Sequence, residues 1–225
     1  MRRAVRRAVV FDLDGTLLDS LPLVLAAISH AVEPFGKRPT MEIFATLGGP
    51  PAQFLGPLLE DIKHLPDALH RLGTFHGENA HLIRPYAGAG AVLNQLREHG
   101  VQVGLWTGRD RVSADWLLRH HGLEAYFSAI VCGDDLASHK PDPAGLIEIM
   151  RRLKVAPGEM LLVGDSDVDV LGGVGAGVDT LLIRHERAIE AEIAAKTWGI
   201  VASPDDAFAE VLKCVQNISR NRSDA

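Results

Sequence analysis

Four short apolar segments of this chain each end abruptly in polar or charged residues, and a helical pattern follows each of them. The segments are residues 8–11, 101–106, 129–132 and 160–163. Short apolar runs that are rich in β-branched residues and bounded by turn signals predict buried strands. Strands that alternate with helices predict a parallel sheet with crossover connections. We therefore expect an α/β protein with a three-layer, doubly wound, Rossmann-like parallel sheet.

The polar residues after these segments are expected to meet at one edge of the sheet. Open α/β sheets bind their ligands at the carboxyl ends of the strands. The first strand end carries Asp12 and Asp14, which are two residues apart and share one face of an extended chain. The other strand ends add a hydroxyl, a flexible backbone, cations and carboxylates: Thr107, Gly108, Arg109, Lys140, Asp165 and Asp169. This convergence predicts an active site.

Taken alone, the run from Asp12 to Gly15 is equally compatible with a surface turn and with a metal site. Two carboxylates that are brought close together require a compensating cation, and a bound divalent metal is the usual one. The metal site is favoured here because the other strand ends supply further groups of matching chemistry.

Composition narrows the class of protein. The net charge of −6 over 225 residues argues against a nucleic-acid-binding protein. No segment reaches the roughly 18 uninterrupted apolar residues of a membrane-spanning helix, and the apolar run after the first arginines is too short for a signal peptide. The two cysteines, Cys132 and Cys214, have no metal-ligand spacing and indicate a reducing compartment. We expect a cytoplasmic enzyme that binds neither nucleic acid nor a membrane, with Arg6 and Arg7 in a solvated lead-in to the first strand.

The stretch between the first two predicted strands is far longer than an ordinary connection and has a helical pattern. Ser20 resembles a helix N-cap with Pro22 in the first turn. Helices are predicted over residues 21–36, 41–47, 52–59 and 67–83, and later elements are a strand over 178–183 and helices over 186–195 and 205–217. We expect a helical cap of residues 20–85, inserted into a core of residues 1–19 and 86–225 and placed over the active edge as a lid.

In order and spacing, the strand-end motifs resemble the four motifs of the haloacid dehalogenase (HAD) superfamily, and the helical stretch resembles its type 1 cap. The run Asp-Gly-Thr-Leu-Leu-Asp-Ser at residues 14–20 is similar to the phosphoglycolate phosphatase-like and β-phosphoglucomutase-like subgroup. The resemblance implies a Mg²⁺-dependent phosphatase that hydrolyses a small phosphorylated metabolite through an aspartyl-phosphate intermediate.

The resemblance also implies a role for each matching residue. Asp12 is the nucleophile that attacks phosphorus, and Asp14 is the general acid that protonates the leaving oxygen and then the base that activates water. Thr107 and Gly108 hold oxygens of the phosphoryl group through a hydroxyl and a backbone N–H. Lys140 supplies a cation opposite Asp12 and the phosphate.

The implied metal ligands are carboxylates and a backbone carbonyl. Asp12 and Asp165 bind Mg²⁺ through their side chains, and Asp14 binds it through its backbone carbonyl. Asp169 contributes through a water molecule or by supporting the ligands from behind. Such hard oxygen donors suit Mg²⁺.

Several residues near the motifs leave alternatives open. Arg109 contacts a substrate oxygen, or it forms an ion pair with Asp110 or Asp135. His139 either touches the substrate or, as we favour, lies in solvent. Asp167 is expected to face solvent in the first turn of a helix.

The predicted cap carries few residues with a clear chemical role. The loop over residues 48–53 has no charged group, which weakens the case for a small and highly anionic substrate such as phosphoglycolate. The polar residues of the later cap helices are expected to form an ordinary polar face: His64, His70, His76, His81 and Arg84.

Two other functions remain open. A phosphomutase of the β-phosphoglucomutase type is expected to use the same residues, with the cap selecting the acceptor. A phospho-acceptor signalling module also combines clustered aspartates, a threonine and a lysine. Such modules are about half this length and have no helical insertion, so the phosphatase is favoured.

Overall fold

The computed structural model describes residues 6–38 and 51–223, with side chains described up to residue 215. The strands in these residues are β1 (Ala8–Phe11), β2 (Leu18–Asp19), β3 (Arg84–Pro85), β4 (Gln102–Trp106), β5 (Ala129–Val131), β6 (Met160–Gly164), β7 (Asp179–Ile183) and β8 (Gly199–Val201). Six of them form one parallel sheet in the order β5-β4-β1-β6-β7-β8. The four predicted strands are therefore neighbours, and β1 lies between β4 and β6.

Helices cover both faces of this sheet. Those of the described residues are α1 (Leu21–Val32), α2 (Pro51–Leu55), α3 (Leu65–Asn79), α4 (Ala89–Glu98), α5 (Arg111–His120), α6 (Ala144–Leu153), α7 (Asp167–Ala176), α8 (Ala191–Ala194) and α9 (Pro204–Ser223). None of them is both long and apolar enough to cross a membrane.

The alternation of side chains along β1 explains the three layers. Val9 and Phe11 belong to a core that also holds buried residues of α4, α5 and α9. Ala8 and Val10 point to the opposite face and share a core with α6. Because both faces of the sheet are buried, its strands are continuously apolar rather than alternating. The predicted doubly wound α/β fold is confirmed.

Residues 21–38 and 51–83, here called the helical segment, have a small core of their own around Ile28 and Leu55. The segment leaves the sheet region at β2 and returns at β3, and these two short strands pair antiparallel, with Leu18 opposite Pro85. The predicted helix over residues 41–47 lies outside the described residues. The predicted helix over 52–59 ends early, at Leu55, and is followed by a 3₁₀ turn.

The structure corrects two further expectations about local structure. Of the helix predicted over residues 186–195, only α8 forms, because Arg187 turns back to the sheet edge and binds there. Arg6 is not solvated: its side chain is buried, donates to the carbonyl oxygen of Met160 at 2.7 Å and pairs with Asp179. Cys132 is buried in the core, as expected for a small apolar residue.

Candidate active site

A cavity of about 900 Å³ is lined on one side by six of the strand-end residues and on the other side by the helical segment. The six are Asp12, Asp14, Gly108, Arg109, Lys140 and Asp165; Thr107 and Asp169 do not line it. Asp12 follows β1, Gly108 lies just after β4, and Asp165 follows β6. Lys140 reaches the same edge from the loop between β5 and α6. The carboxyl ends of adjacent parallel strands thus meet at one place, as the sequence predicts.

Lys140 lies between two carboxylates. Its Nζ donates to Oδ1 of Asp12 at 2.6 Å and to Oδ1 of Asp169 at 2.6 Å, and all three side chains are buried. Burial alone would lower the pKa of Lys140, but the two carboxylates outweigh burial and hold that pKa above its usual range. Lys140 is therefore a permanent cation beside Asp12.

The ammonium of Lys140 also makes a cation–π contact with Trp106, whose ring centroid lies 4.6 Å from Nζ. Two glycines pack directly against the ring. A Cβ atom on Gly145 would lie 2.1 Å from Nε1 of Trp106, and one on Gly172 would lie 2.3 Å from Cη2. Gly145 in α6 and Gly172 in α7 thus allow both helices to pack closely against the ring of Trp106.

Asp12, Asp165 and Asp169 form a cluster in which one carboxylate oxygen from each residue lies within 4.8 Å of the other two. Burial raises the pKa of Asp12 to about 7, with the charges of Asp169 and Asp14 adding to the rise and Lys140 opposing it. Burial and the charge of Asp12 likewise raise the pKa of Asp165. Three carboxylates around a single ammonium carry an excess of negative charge, which a divalent cation would neutralise.

The backbone around the cluster is shaped to admit these carboxylates. A Cβ atom on Gly15, which has φ of +72°, would lie 2.4 Å from Oδ2 of Asp165. A Cβ atom on Gly164 would lie equally close, 2.4 Å, to Oδ2 of Asp169. Hard oxygen donors in such a cradle fit Mg²⁺.

Arg109 binds Asp14 with both arms of its guanidinium. Nε donates to Oδ2 at 2.7 Å, and Nη2 donates to Oδ1 at 2.6 Å. The hydroxyl of Ser20 also donates to Oδ1 of Asp14, so Ser20 makes no capping bond to α1. Burial raises the pKa of Asp14, but the charge and hydrogen bonds of Arg109 outweigh burial and keep that pKa below its usual range.

Neither of the ion pairs considered for Arg109 forms. Asp110 instead caps α5, accepting from the backbone N–H of Ser113 at 2.9 Å. Asp135 pairs with Arg111, which lies two residues after Arg109 in the chain and begins α5. The sequence could not show which arginine pairs with which aspartate, because Asp110 lies between Arg109 and Arg111 in the chain.

His76 in α3, part of the helical segment, contacts Arg109. Nη1 of Arg109 lies 2.6 Å from Nε2 of His76. Because a guanidinium only donates hydrogen bonds, Nε2 must accept, and the ring must therefore be neutral. Burial and the charge of Arg109 lower the pKa of His76 accordingly. His76 was expected on an ordinary polar face, and no local sequence signal distinguishes it from the other histidines.

Three more side chains complete the edge beside β6. Arg187 donates through Nη1 to Asp167 at 2.7 Å and through Nη2 to the backbone carbonyl of Asp165 at 2.8 Å. Asp167 is thus ion-paired rather than exposed to solvent as expected. Nε2 of His185 lies 2.8 Å from the carbonyl oxygen of Gly15.

The loop after β4 contributes Gly108, Arg109 and Asp110 to the cavity wall. The hydroxyl of Thr107 is buried and accepts from the backbone N–H of Arg109 at 3.1 Å. Gly108 lines the cavity, and a Cβ atom on Gly133 would lie 2.4 Å from its carbonyl oxygen. His139 is half-buried, and its carbonyl oxygen accepts from the backbone N–H of Asp142 at 2.9 Å.

Comparison with known proteins relates this geometry to a family. A family model of haloacid dehalogenase-like hydrolases matches residues 9–183. The chain is 36% identical over 200 residues to a phosphoglycolate phosphatase of Pseudomonas putida, which covers 83% of this chain and 74% of that protein. It is 31% identical over 185 residues to the pyrophosphatase PpaX of Halalkalibacterium halodurans, with 79% of this chain and 83% of that protein covered.

The fold has close relatives among solved structures. A crystal structure from Haemophilus somnus, described as a predicted phosphoglycolate phosphatase, superposes with a TM-score of 0.77 at 22% identity. The superposition covers 93% of this chain and 98% of the other. The family match spans β1 to β7 of the described strands and the helical segment, but not β8. The chain therefore belongs to the haloacid dehalogenase-like hydrolases.

Proposed function

We propose that this protein is a Mg²⁺-dependent phosphatase that hydrolyses a small phosphomonoester through an aspartyl-phosphate on Asp12. The observation that carries the proposal is the position of Asp12, which lines the cavity beside the ammonium of Lys140 and within a cluster of three carboxylates. The phosphatases named among the relatives support the same reaction class.

The first step transfers the phosphoryl group to the protein. An oxygen of Asp12 attacks phosphorus, and the bond from phosphorus to the leaving oxygen breaks. Asp14 gives a proton to that leaving oxygen. Lys140, the hydroxyl of Thr107 and the backbone N–H of Gly108 are proposed to stabilise the charge on the phosphoryl oxygens.

The second step releases phosphate. Asp14 takes a proton from a water molecule, whose oxygen attacks phosphorus, and the bond to Asp12 breaks. Asp12, the backbone carbonyl of Asp14 and Asp165 would hold Mg²⁺, with Asp169 behind them. When bound, the ion adds positive charge next to the phosphoryl group. We further propose that residues 20–85 act as a cap that excludes water while the aspartyl-phosphate forms.

Phosphate release from a panel of substrates, measured with purified protein and Mg²⁺, tests this proposal. The panel contains phosphoglycolate, pyrophosphate, sugar phosphates, nucleotides and p-nitrophenyl phosphate. Labelled substrate should leave acid-stable label on the wild-type protein and none on Asp12→Asn. Absence of phosphate release from every compound would overturn the phosphatase, and transfer of the label to a sugar instead of water would identify a phosphomutase.

A further inference from the structure

We propose that Arg109 recognises a second anionic group on the leaving part of the substrate. The substrates would then be small phosphate esters or anhydrides with a carboxylate or a further phosphoryl group next to the scissile bond. This inference rests on the proposed phosphatase function and defines the substrate class of the same site.

Arg109 lies on the side of the site where the leaving group is expected. Its guanidinium binds both oxygens of Asp14, the residue proposed to protonate the leaving oxygen. Lys140 contacts Asp12 instead, the residue proposed to receive the phosphoryl group. Arg109 therefore faces the leaving group, and a carboxylate or phosphoryl group there matches the same pair of parallel N–H donors.

The cations of the cavity wall differ in the partners that hold them. Lys140 is held by Asp12 and Asp169, and Arg187 is held by Asp167 and a backbone carbonyl. The only acidic group bonded to Arg109 in the described residues is Asp14, which must be released from Arg109 before it can give a proton to the leaving oxygen. An incoming anion would replace Asp14 on the guanidinium and free it for this role.

The surroundings of Arg109 favour an anion as its partner. Its third nitrogen binds the neutral ring of His76, which orients the guanidinium and adds no negative charge. The side chain of Arg109 is only 9% exposed, so water competes weakly with an anion. The helical segment otherwise contributes mainly apolar side chains to the wall, among them Leu25, Phe54 and Leu72, which offer no competing partner.

A substrate with one anionic group would leave Arg109 on Asp14. Loss of the second anionic group should therefore lower kcat as well as raise KM, because the contact of that group with Arg109 also releases Asp14, the proposed general acid. The matched test compares 2-phosphoglycolate with its amide, phosphoglycolamide, which has the same shape and no second charge. Pyrophosphate replaces the carboxylate by a second phosphoryl group, and its kcat/KM relative to phosphoglycolate shows which anion the site prefers.

We expect the wild-type protein to favour the acid over the amide about 10- to 100-fold in kcat/KM, the range of a charge-assisted bidentate contact. Arg109→Met should reduce this preference to less than about 3-fold, and Arg109→Lys should retain part of it because the charge remains without the fork. Arg111→Met is the matched control, since Arg111 pairs with Asp135 away from the cavity wall, and it should keep the wild-type preference.

Binding of a non-hydrolysable pair, 3-phosphonopropionate and its amide, separates this inference from the proposed function. Calorimetry should show tighter binding of the acid to the wild-type protein and equal binding of both to Arg109→Met. This result in a protein that hydrolyses nothing would overturn the phosphatase and retain the anion site. Hydrolysis of the acid and the amide with equal kcat/KM would overturn the anion site and retain the phosphatase.

Discussion

The ammonium of Lys140 lies 2.6 Å from Oδ1 of Asp12, a residue 128 positions earlier in the chain. Both side chains are buried, and a second carboxylate, that of Asp169, lies equally close to the ammonium. A buried ion pair adds little net stability, but removal of one partner leaves an uncompensated charge. Removal of the Asp12 charge leaves Lys140 paired with Asp169, whereas removal of Lys140 leaves two carboxylates without their cation. The two substitutions should therefore have very different effects on the free energy of unfolding.

Asp12→Asn should abolish turnover and leave the fold nearly intact. The amide has the size of the carboxylate but is a poor nucleophile, and Lys140 keeps Asp169 as a partner. Phosphate release and thermal unfolding measure the two effects. Asp205→Asn, at an exposed position, serves as the control and should change neither the rate of phosphate release nor the unfolding temperature. Full activity of Asp12→Asn would contradict the nucleophile assignment.

Lys140→Met should lower the free energy of unfolding by about 3–5 kcal/mol, because Asp12 and Asp169 lose their shared cation. Urea unfolding in EDTA measures this loss. Lys213→Met, which removes an exposed partner of Glu210, should cost less than about 1 kcal/mol.

The double variant Asp12→Asn with Lys140→Met should be more stable than the sum of the single losses predicts, because the mismatched charge is partly removed. Strict additivity of the two losses would show that the pair is not coupled.

Gly172→Ala should destabilise the protein by about 1–3 kcal/mol, because the new methyl group would overlap the ring of Trp106 beneath Lys140. Gly90→Ala is the matched control: it lies in α4, where a new methyl group would meet no heavy atom within 4 Å, so it should stabilise by about 0.5–1 kcal/mol. Urea midpoints measure both changes. A neutral Gly172→Ala would contradict the close packing of Trp106.

The affinity for Mg²⁺ should rise between pH 5.5 and pH 8. Burial raises the pKa of Asp12 to about 7, so this carboxyl holds a proton at the lower pH, and burial also raises the pKa of Asp165. A metal binds the deprotonated carboxylates, and binding must therefore release protons over this range.

Calorimetry in two buffers of different ionisation enthalpy counts the released protons. Asp165→Asn should weaken Mg²⁺ binding strongly, whereas the exposed Asp205→Asn should not. An affinity that is independent of pH, or proton uptake on binding, would contradict the pKa assignment.

Five of the six strands of the sheet could be predicted from the sequence because their signals are local; β8 was not predicted. Each predicted strand is a short apolar run, and the runs of β1, β4 and β6 stop just before residues that line the cavity, as Phe11 does before Asp12. Elements whose bounds depend on distant partners were predicted less well. Arg187 illustrates this, because its bonds to Asp165 and Asp167 replace the first turns of an expected helix.

The sequence by itself determined the α/β class, the succession of strands along the chain and the groups that each strand end brings to one edge, because apolar period and turn chemistry act within a few residues. Only the tertiary structure decided that Arg109 binds Asp14, 95 residues away, and His76, 33 residues away. It also decided that Arg6 is buried against Met160 rather than solvated. A charged side chain pairs with whichever partner the folded chain brings within hydrogen-bond distance, and this distance is set by packing between elements that are far apart in sequence.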